Sequence, residues 1–489
     1  MTSKKRNTQT KKEPFFLSGK FIYAIQALVS VLAIWAILKL NLLPTKYLLI
    51  ALGVIVFLAL STSAIVKNNL FKGKSALKIL SLLLSLAMGM GTLYAFNGDS
   101  FISGITGANQ DTHVISVVVK KDSDFNKFDD VKDFTFGANL AQDSESIEKA
   151  KELISTKFKT DISVEAVKGY STLADQLTSG QREVILLNEA HRTFITDNDP
   201  EFNENTKVIA EVSYQVESTI VDKNTDVSKD TFSIFLSGID TYGPVSTTSR
   251  SDVNMIVTVN PNTNQILLTS IPRDYHVILP KFNSYDKLTH AGIYGVGESV
   301  ATMENLLGID IDYYAKVNFS SVTKIVDALG GVTVNSQWTF TGPGGYQFTK
   351  GDNHVDGAKA LSFVRERYSL PGGDNSRVIN QQALVTGILN KAMSPAIITN
   401  FNSVLTSIDG AFEMSMSSGD FKSLIKTQAD TMKSWEIINI QLTGYGTHST
   451  TTYSMPGWNL YVMTPDQASV DTASRLILAM ENDEVITKP

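Results

Sequence analysis

The amino-acid sequence predicts an α/β protein that is attached to a membrane by three N-terminal transmembrane helices. The first hundred residues contain three long apolar stretches, which predict the membrane helices. From residue 113 onwards, short apolar runs alternate with amphipathic stretches, and turn-forming residues separate them. Such alternation is typical of sheets covered by helices. With 489 residues, the chain is long enough for two or three domains besides the membrane segments.

The three apolar stretches are Phe21–Leu38, Tyr47–Val66 and Ile79–Gly98, and none contains a charged side chain. Each is long enough to cross a bilayer. A signal peptide is an alternative for the first stretch, but two more follow and no convincing cleavage site separates them. Buried core helices are the alternative for all three. Three such stretches in succession favour membrane helices over residues 21–98.

Basic residues around these stretches predict their orientation. Residues 1–20 form a lysine-rich tail, and four more lysines (Lys67, Lys72, Lys74 and Lys78) flank the loop between the second and third stretches. The short first loop contains Lys46, with Lys39 beside it. By the positive-inside rule, the tail and the second loop are cytoplasmic. The sequence therefore predicts a multi-pass protein of the cell membrane whose large C-terminal region, after about Asp99, is extracellular.

Composition narrows the function further. The chain contains no cysteine, which excludes disulfides, thiolate metal sites and a cysteine nucleophile. Residues 1–99 contain twelve lysines and arginines and two acidic residues, out of 43 basic and 49 acidic residues in the whole chain. The remainder therefore has 31 basic and 47 acidic side chains. So acidic a region argues against binding to nucleic acid, which depends on neutralising phosphates.

Residues 110–222 predict a small α/β accessory domain outside the membrane. The expected strands are Val114–Val119, Ile162–Val167, Val184–Leu187 and Val208–Val216, with helices at Ser144–Lys157 and Thr172–Thr178. His113 and His191 have no partners at the spacing of metal ligands, and His191 is expected at the surface. No convergent chemistry is evident here. A spacer or protein-contact role is the expectation for this domain.

The polar segment Asp222–Asp230 predicts a linker, and the main domain is expected at residues 231–395. Its predicted strands are Phe232–Leu236, Met255–Val259, Ile266–Leu268, Tyr314–Val317 and Val332–Val334. Its predicted helices are Ser299–Leu307, Ser320–Leu329, capped by Ser320, and Val378–Met393. Residues 396–489 are expected to pack on this domain.

Charged residues in the main domain fall at strand ends and in loops. Around the first three strands they are Asp240, Arg250, Asp252, Arg273 and Asp274. A second stretch, AKALSFVRERYSLPGGDNSRVINQQ at residues 358–382, contains Arg365, Arg367 and Arg377. These two stretches hold five of the eight arginines outside the N-terminal tail. Functional sites of α/β folds are usually built at such strand ends.

Clustered arginines and aspartates suggest a particular ligand. Arginine offers planar, permanently charged donors that suit phosphate oxygens, and carboxylates hold divalent metals that share the same phosphate. A diphosphate with Mg²⁺ is therefore the expected ligand, and Lys287 is an additional candidate cation. The alternative is a set of structural ion pairs with no ligand. Tyr242, Tyr275 and His290 lie nearby but are expected to have packing or structural roles.

Other common chemistries lack their motifs. The sequence contains no G-x-x-x-x-G-K-[ST], H-E-x-x-H or G-x-S-x-G pattern. Their absence removes the P-loop nucleotide, zinc-protease and serine-hydrolase interpretations.

Several segments in order resemble the LytR-CpsA-Psr family, most closely its capsule and exopolysaccharide members from streptococci and their relatives. The segments are SGIDTYGP, SRSD, IPRD, KLTHAGIYGV, VNFSSVTKIVDALGGV and FVRERYS. The resemblance is dense from Thr231 to Met393. It implies that residues 231–395 are a catalytic domain with a central mixed sheet flanked by helices.

The resemblance further implies a phosphotransferase that moves a capsular polysaccharide or exopolysaccharide from a polyprenyl-diphosphate lipid onto peptidoglycan. Capsule-assembly membrane proteins are further expected partners, and nucleic acid is not. By position, the expected Mg²⁺ ligands are Asp240 and Asp252. The residues expected to contact the diphosphate are Arg250, Arg273, Lys287, Arg365, Arg367, Arg377 and Gln381. The catalytic residues among these are expected to be Arg250, Asp252, Arg273, Arg365 and Arg367.

The sequence departs from the family pattern at one place. Many relatives carry another basic residue between the positions of Arg377 and Gln381, where this chain has Ile379 and Asn380. Two alternatives to an enzyme remain at this point. One is a membrane-anchored regulator of transcription or polysaccharide synthesis, and the other is a non-catalytic lipid-binding scaffold.

Overall fold

The structure is a computed structural model that describes residues 15, 18–67, 75–218, 225–239, 244–394, 404, 407, 410 and 412–489. The chain divides into two compact units. One comprises Met1–Ser103 with Phe421–Met432, and the other comprises Gly104–Asp420 with Lys433–Pro489. Three long apolar helices and mixed α/β sheets confirm the predicted fold class.

The first unit is built from three helices that are long and apolar enough to cross a membrane. They are α1 (Gly19–Leu40), α2 (Thr45–Lys67) and α3 (Ser75–Ile105). Local signals set the limits of α1. The Ser18 side chain accepts a hydrogen bond from the Phe21 N–H, and Asn41 adopts a left-handed conformation just after the last turn.

Polar contacts inside the first unit fix how its helices align. The Ser85 hydroxyl in α3 donates to Gln26 Oε1 in α1 at 2.6 Å. Asp99, near the end of α3, lies 2.9 Å from the Lys39 ammonium, near the end of α1. The C-terminal ends of α1 and α3 therefore lie at the same level. This is the arrangement that three successive crossings require.

The accessory domain contains a five-stranded sheet. Its strands are β1 (Gln110–Lys120), β2 (Thr135–Ala138), β3 (Ser163–Ala166), β4 (Val184–Asn188) and β5 (Thr206–Glu217). They lie in the order β3-β2-β4-β1-β5. Strand β1 is antiparallel to both β4 and β5, whereas β2 is parallel to β3 and β4. The helices are α4 (Leu140–Phe158), α5 (Tyr170–Thr178), α6 (Arg192–Thr196) and α7 (Phe202–Asn205). Two apolar clusters cover the two faces of this sheet.

His191 is buried, so the prediction that it lies at the surface is wrong. Only 1% of its surface is exposed. The 3₁₀ turn Glu189–His191 joins β4 to α6 and directs the imidazole inward. There it stacks on the Tyr170 ring, with centroids 4.5 Å apart, and meets the edge of Phe194. Burial lowers the pKa of His191 to about 4, because a charged imidazole would lose its hydration.

The larger sheet has six strands. They are β6 (Phe232–Ile239), β7 (Ser251–Asn260), β8 (Gln265–Ile271), β11 (Tyr313–Asn318), β16 (Phe412–Met414) and β17 (Glu436–Gln441). Their order in the sheet is β16-β11-β6-β7-β8-β17. Strands β6, β7 and β8 form an antiparallel meander, and β11 and β17 add in parallel to β6 and β8, so the sheet is mixed.

Pairs of short strands and several helices complete this part of the chain. The paired strands are β9 (His276–Leu279) with β10 (Ser284–Lys287), β12 (Val332–Ser336) with β15 (Gly351–Val355), β13 (Phe340–Thr341) with β14 (Gln347–Phe348), and β18 (Gly444–Ser449) with β19 (Leu460–Pro465). The helices are α8 (Leu288–Ala291), α9 (Val296–Leu307), α10 (Phe319–Ala328), α11 (Gly357–Arg365), α12 (Asp374–Ala392) and, after α13 (Ser418–Thr431), α14 (Gln467–Glu481). Helix α13 belongs mostly to the first unit. Further 3₁₀ turns are Phe128–Asp130, Gly292–Tyr294 and Pro343–Gly345.

Alternating side chains of the meander separate two cores. Phe235, Ile256 and Leu267 point to one face, where they join a core that includes residues of α9 and α14. Met255 and Leu268 point to the other face, towards apolar residues of α12. Helices therefore cover both faces of the sheet. The C-terminal residues supply β17 to the sheet and α14 to the first core, so they are an integral part of this domain.

Two predicted helix starts are displaced. Asn318, not Ser320, caps α10, because its side chain accepts a hydrogen bond from the Ser321 N–H. Helix α12 begins at Asp374, four residues before the predicted Val378. The earlier start places Arg377 in the first turn of the helix.

A buried ion triad connects the accessory domain to the six-stranded sheet. The Lys316 ammonium in β11 lies 2.8 Å from Asp111 of β1 and 2.7 Å from Glu413 of β16. Burial lowers the pKa of Lys316, but the two carboxylates outweigh that effect and raise it. Asp111 also accepts a hydrogen bond from the Val296 N–H at 2.9 Å. Lys316 is therefore charged at neutral pH, and its ammonium group connects β11 to one carboxylate of β1 and one of β16.

Replacing Lys316 with methionine should destabilise the protein strongly. The change leaves two buried carboxylates without a counter-charge, which costs on the order of 3–5 kcal/mol in comparable sites. Thermal and denaturant unfolding of the purified protein measures the loss. Lys324→Met on the exposed side of α10 is the matched control and should change stability by less than about 0.5 kcal/mol. Equal stabilities of the two variants would contradict the role of the triad.

The burial of neutral His191 predicts a pH dependence of stability. Between pH 6.5 and 4 the unfolded chain binds a proton at this histidine that the folded chain does not bind. The free energy of unfolding should therefore lose nothing to His191 above pH 6.5. Below that pH it should decrease as the pH falls, by at most about 1.4 kcal/mol per pH unit. His191→Phe, which keeps the aromatic packing, should flatten this part of the profile. A profile unchanged by the substitution would show that other groups cause the slope.

Candidate active site

One cavity of about 710 Å³ collects most of the charged residues that the sequence singled out. It lies beside the meander of the six-stranded sheet, under α11 and α12. Its polar end is lined by Asp197, Arg250, Asp252, Arg273, Asp274, Lys287, Thr289, His290, Arg365, Glu366, Arg367, Arg377 and Gln381. Its apolar side is lined by Leu236, Ile239, Val253, Val317, Val322, Val364, Leu384 and Val385.

The polar side chains come from the ends of several elements. Arg250 and Asp252 flank the first residue of β7, and Arg273 and Asp274 follow the end of β8. Lys287 is the last residue of β10, Arg365 is the last residue of α11, and Arg377 and Gln381 lie in the first two turns of α12.

The structure brings together eight of the nine residues predicted from the sequence. They are Arg250, Asp252, Arg273, Lys287, Arg365, Arg367, Arg377 and Gln381. The ninth, Asp240, lies outside the described residues, as does Tyr242.

The centre of the polar end is an ion pair between Arg273 and Asp252, at 2.9 Å. Thr289 Oγ1 lies 3.5 Å from the same carboxylate oxygen. Burial raises the pKa of Asp252, but the guanidinium groups of Arg273, Arg250 and Arg377 outweigh it and hold this pKa below its usual value. Burial likewise lowers the pKa of Arg273, and the surrounding carboxylates more than reverse the effect. Both groups are therefore charged at neutral pH.

Other cations in the cavity also have acidic neighbours. The Lys287 ammonium donates to Asp274 Oδ1 at 3.0 Å, and one Arg377 nitrogen lies 2.8 Å from Asp374. The acidic side chains offset the repulsion between clustered cations.

The ion pairs leave specific donors unused. Among the residues that the structure describes, the Nε–H groups of Arg250, Arg273 and Arg377 are buried without a hydrogen-bond partner. A buried donor on a charged group costs free energy when it stays unpaired. An anion with several oxygens, such as a diphosphate, supplies the acceptors that these three groups lack. Arg273 Nε lies 3.8 Å from Asp274 Oδ2 and 4.0 Å from Asp374 Oδ2, which is beyond hydrogen-bond distance. The three donors make this end of the cavity suitable for an anion.

The apolar side of the cavity is shaped by the close approach of β6 and β7. A Cβ atom at Gly238 would lie 2.7 Å from the Val253 side chain, so a larger residue would disturb the wall. Aliphatic side chains from the sheet face those of α10, α11 and α12 across this space. An arginine-rich end joined to an aliphatic wall fits an anion that carries an alkyl chain.

The carboxylates present fit one mode of Mg²⁺ binding. Within the described part of the chain, no group of three or more histidine, aspartate or glutamate side chains is arranged around a possible metal position. A site made by protein ligands alone is therefore not evident there. Mg²⁺ is commonly held by one or two carboxylates together with substrate phosphates. Asp252 faces the arginine-rich end and is a suitable carboxylate for that mode.

His290 takes part in a buried network that resembles a hydrolytic triad only in composition. Its Nδ1 lies 2.7 Å from Asp286 Oδ1 and 2.8 Å from the Ser454 hydroxyl. Both partners meet the same ring nitrogen, so the imidazole cannot relay a proton from the serine at one nitrogen to the aspartate at the other. The network instead fixes the segment that carries Lys287 and Thr289. Tyr275 is likewise buried in the core, in agreement with a packing role.

Sequence reasoning missed three acidic residues at the site. Glu366, between Arg365 and Arg367, lines the cavity. Asp374 pairs with Arg377 from the same turn of α12, and its position three residues earlier is a local signal that was available. Asp197 belongs to the accessory domain, for which no convergent chemistry was expected, yet it lies 2.7 Å from Arg250. No sequence pattern connects residues 53 positions apart.

Two family models match the chain. The model described as the LytR_cpsA_psr family matches residues 195–469. The model described as DNA polymerase processivity factor matches residues 71–187.

Curated relatives include teichoic acid transferases. The polyisoprenyl-teichoic acid–peptidoglycan teichoic acid transferase TagU of Enterococcus faecalis is 38% identical over 201 residues, which are 40% of this chain and 65% of the relative. The protein of the same name from Bacillus anthracis is 35% identical over 250 residues, which are 51% of this chain and 79% of the relative. The chain thus spans slightly less than two thirds of the enterococcal relative.

Solved structures similar to this chain include those of two proteins named TagV and TagT. The crystal structure of B. subtilis TagV is 25% identical, with a TM-score of 0.44, over 53% of this chain and 99% of that chain. The structure titled TagT bound to LIIa-WTA is 28% identical, with a TM-score of 0.44, over 54% of this chain and 96% of that chain.

Proposed function

Because the chain belongs to the LytR-CpsA-Psr family, we propose that it is a phosphotransferase that moves a glycopolymer from a polyprenyl-diphosphate lipid onto peptidoglycan. The observation that carries this proposal is the cavity in which three unpaired arginine donors adjoin an aliphatic wall. That combination suits a ligand with a diphosphate and a long hydrocarbon chain. The names of the curated relatives, which are teichoic acid transferases, support the same class of reaction.

In the proposed reaction, a hydroxyl oxygen of peptidoglycan attacks the phosphorus atom that carries the glycopolymer. A phosphorus–oxygen bond forms to the acceptor, and the bond from that phosphorus to the bridging oxygen of the diphosphate breaks. Polyprenyl monophosphate leaves with the bridging oxygen and its electron pair. The hydroxyl proton passes to a base, for which Asp252, Asp274 and water are the alternatives. Positioning and charge neutralisation dominate such phosphoryl transfers.

The arginines perform most of that work in this proposal. Arg250, Arg273 and Arg377 donate their unpaired Nε–H groups to the diphosphate, and Arg365, Arg367 and Lys287 add positive charge around it. These groups stabilise the charge that develops on the leaving phosphate. When bound through Asp252 and Asp240, Mg²⁺ would neutralise further phosphate oxygens. Gln381 lies beside Arg377 on α12 and orients the same ligand.

The identity of the transferred polymer is a further, more specific part of the proposal. The sequence motifs are most similar to capsule and exopolysaccharide members of the family, whereas the curated relatives are named for teichoic acid. We propose a capsular polysaccharide or exopolysaccharide as the donor polymer, with teichoic acid as the alternative. Capsule-assembly membrane proteins are the further partners proposed.

A transfer assay tests the function. The purified full-length protein is incubated with peptidoglycan, Mg²⁺ and either a polyprenyl-diphosphate capsular oligosaccharide or a polyprenyl-diphosphate teichoic acid precursor. Covalently attached phosphosugar and released polyprenyl monophosphate are then measured. The proposal expects equal amounts of both products with at least one donor. No product with either donor would contradict it.

Arg273→Ala and Arg365→Ala should each abolish most transfer without unfolding the protein. Each change removes charge-assisted contacts to phosphate, a loss on the order of 2–4 kcal/mol, or roughly 30- to 1,000-fold in rate. Arg273→Lys should restore little, because the planar pair of donors is lost. Arg475→Ala on the exposed side of α14 is the control and should keep normal transfer. Near-normal turnover by a folded Arg273 variant would exclude its role.

Asp252→Asn separates a metal ligand from a structural ion pair. As a change of ligand, it should raise the Mg²⁺ concentration needed for half-maximal transfer, and added Mg²⁺ should partly restore the rate. As a loss of the ion pair to Arg273, it should mainly lower the melting temperature. Titration of transfer against Mg²⁺ for both proteins distinguishes the two. Identical metal dependence would rule out Asp252 as a ligand.

We also propose that the region carrying the cavity is extracellular, as the reaction on peptidoglycan requires. The cysteine-free sequence allows a direct test. Thr464→Cys, at an exposed position of β19, should react with a membrane-impermeant maleimide on intact cells, whereas Ser3→Cys should react only after lysis. Labelling of position 3 alone on intact cells would reverse the proposed orientation.

A further inference from the structure

Asp197 of the accessory domain is placed firmly beside the site. It follows the last residue of α6, and its N–H donates to the Thr193 carbonyl at 2.9 Å. Phe194, one turn earlier, is buried, and its ring meets the edge of the His290 ring with centroids 4.8 Å apart. Since His290 lines the cavity, α6 packs directly against the wall of the site.

The carboxylate of Asp197 occupies one donor of Arg250. Arg250 Nη1 donates to Asp197 Oδ2 at 2.7 Å, while Arg250 Nε remains buried and unpaired within the described structure. The two side chains differ in exposure. Arg250 is 16% exposed and Asp197 is 56% exposed. The arginine is therefore fixed in the cavity wall, whereas the aspartate sits half in solvent and can leave at little cost.

The accessory domain also holds the backbone that leads to Arg250. Thr112 of β1 donates its N–H to the Ser246 carbonyl at 2.9 Å and accepts from the Thr248 N–H at 3.0 Å. These bonds form an isolated bridge between Thr112 and Thr247. This pairing positions the backbone of the segment before Arg250, so the accessory domain supports that segment through contacts other than the one made by Asp197.

We propose that Asp197 is an internal anion that occupies Arg250 until the diphosphate of the substrate displaces it. The inference rests on the proposed function, since it takes the cavity as the diphosphate site. It makes the accessory domain part of that site rather than a spacer. By competing for Arg250, the carboxylate weakens the hold on every phosphate ligand, including the polyprenyl monophosphate that must leave after transfer. Asp197 is thus a residue that tunes affinity and does not take part in the chemical step.

Two substitutions distinguish competition from positioning. Asp197→Asn keeps the shape and a hydrogen-bond acceptor but removes the charge, whereas Asp197→Ala removes both. A competing anion predicts tighter ligand binding in both variants. A residue that orients Arg250 predicts weaker binding for alanine and near-normal binding for asparagine.

The experiment measures binding of inorganic pyrophosphate to the full-length protein by calorimetry at fixed Mg²⁺ and low salt. The inference expects the Kd to fall about two- to fivefold in both Asp197 variants, the size typical of a partly exposed ion pair. Asp199→Asn, two residues further along the same loop, keeps the side-chain oxygen that accepts from the Glu201 N–H; it is the matched control and should leave the Kd unchanged. In an Arg250→Ala background, the gain from Asp197→Asn should disappear.

The outcomes separate this inference from the proposed function. If the wild type binds pyrophosphate and neither Asp197 variant binds more tightly, the inference is overturned while the diphosphate site stands. Weaker binding by Asp197→Ala also overturns it. If neither the wild type nor the variants bind pyrophosphate, the diphosphate site is contradicted and the inference fails with it.

Discussion

Mutual repulsion between guanidinium groups is the constraint around which the site is organised. Arg250, Arg273 and Arg377 line one cavity, and each lies within 3 Å of a carboxylate. The three carboxylates are Asp197, Asp252 and Asp374. Without them, folding would have to bring three desolvated positive charges together. Within the described structure these pairs leave each Nε–H without a hydrogen-bond acceptor, so the arrangement that offsets the repulsion also suits the proposed anion.

The fold supplies the members of these pairs from several elements. The antiparallel meander places Arg250, Asp252 and Arg273 close together, because β7 begins beside the point where β8 ends. Helix α12 adds Arg377 and Asp374 in its first turn and covers the aliphatic wall with its later residues. The buried contact of Lys316 with Asp111 and Glu413 keeps the accessory domain in place beside these strand ends. The ion pair between Asp197 and Arg250 and the triad around Lys316 therefore both join the accessory domain to the domain of the six-stranded sheet.

Local sequence signals predicted the members of the site that lie at strand or helix ends. Arg273 and Arg365 stand next to apolar runs that form β8 and α11, and the family resemblance inferred from such segments is confirmed. The features that the sequence did not predict depend on contacts between residues that are distant in the chain. His191 looked like a surface residue because its burial depends on Tyr170 and Phe194 meeting it in three dimensions. Asp197 carried no signal, since its partner lies in another domain.

The central claim is that the cavity holds a diphosphate at its arginine-rich end and a hydrocarbon chain along its aliphatic wall. A polyprenyl diphosphate with a photoreactive group on the isoprenoid chain tests this directly in the full-length protein. After irradiation, mass spectrometry should find the label on peptides of β7, β11 and α12, and excess unlabelled polyprenyl diphosphate should prevent it. Labelling confined to the membrane helices, or labelling that unlabelled lipid does not reduce, would contradict the claim.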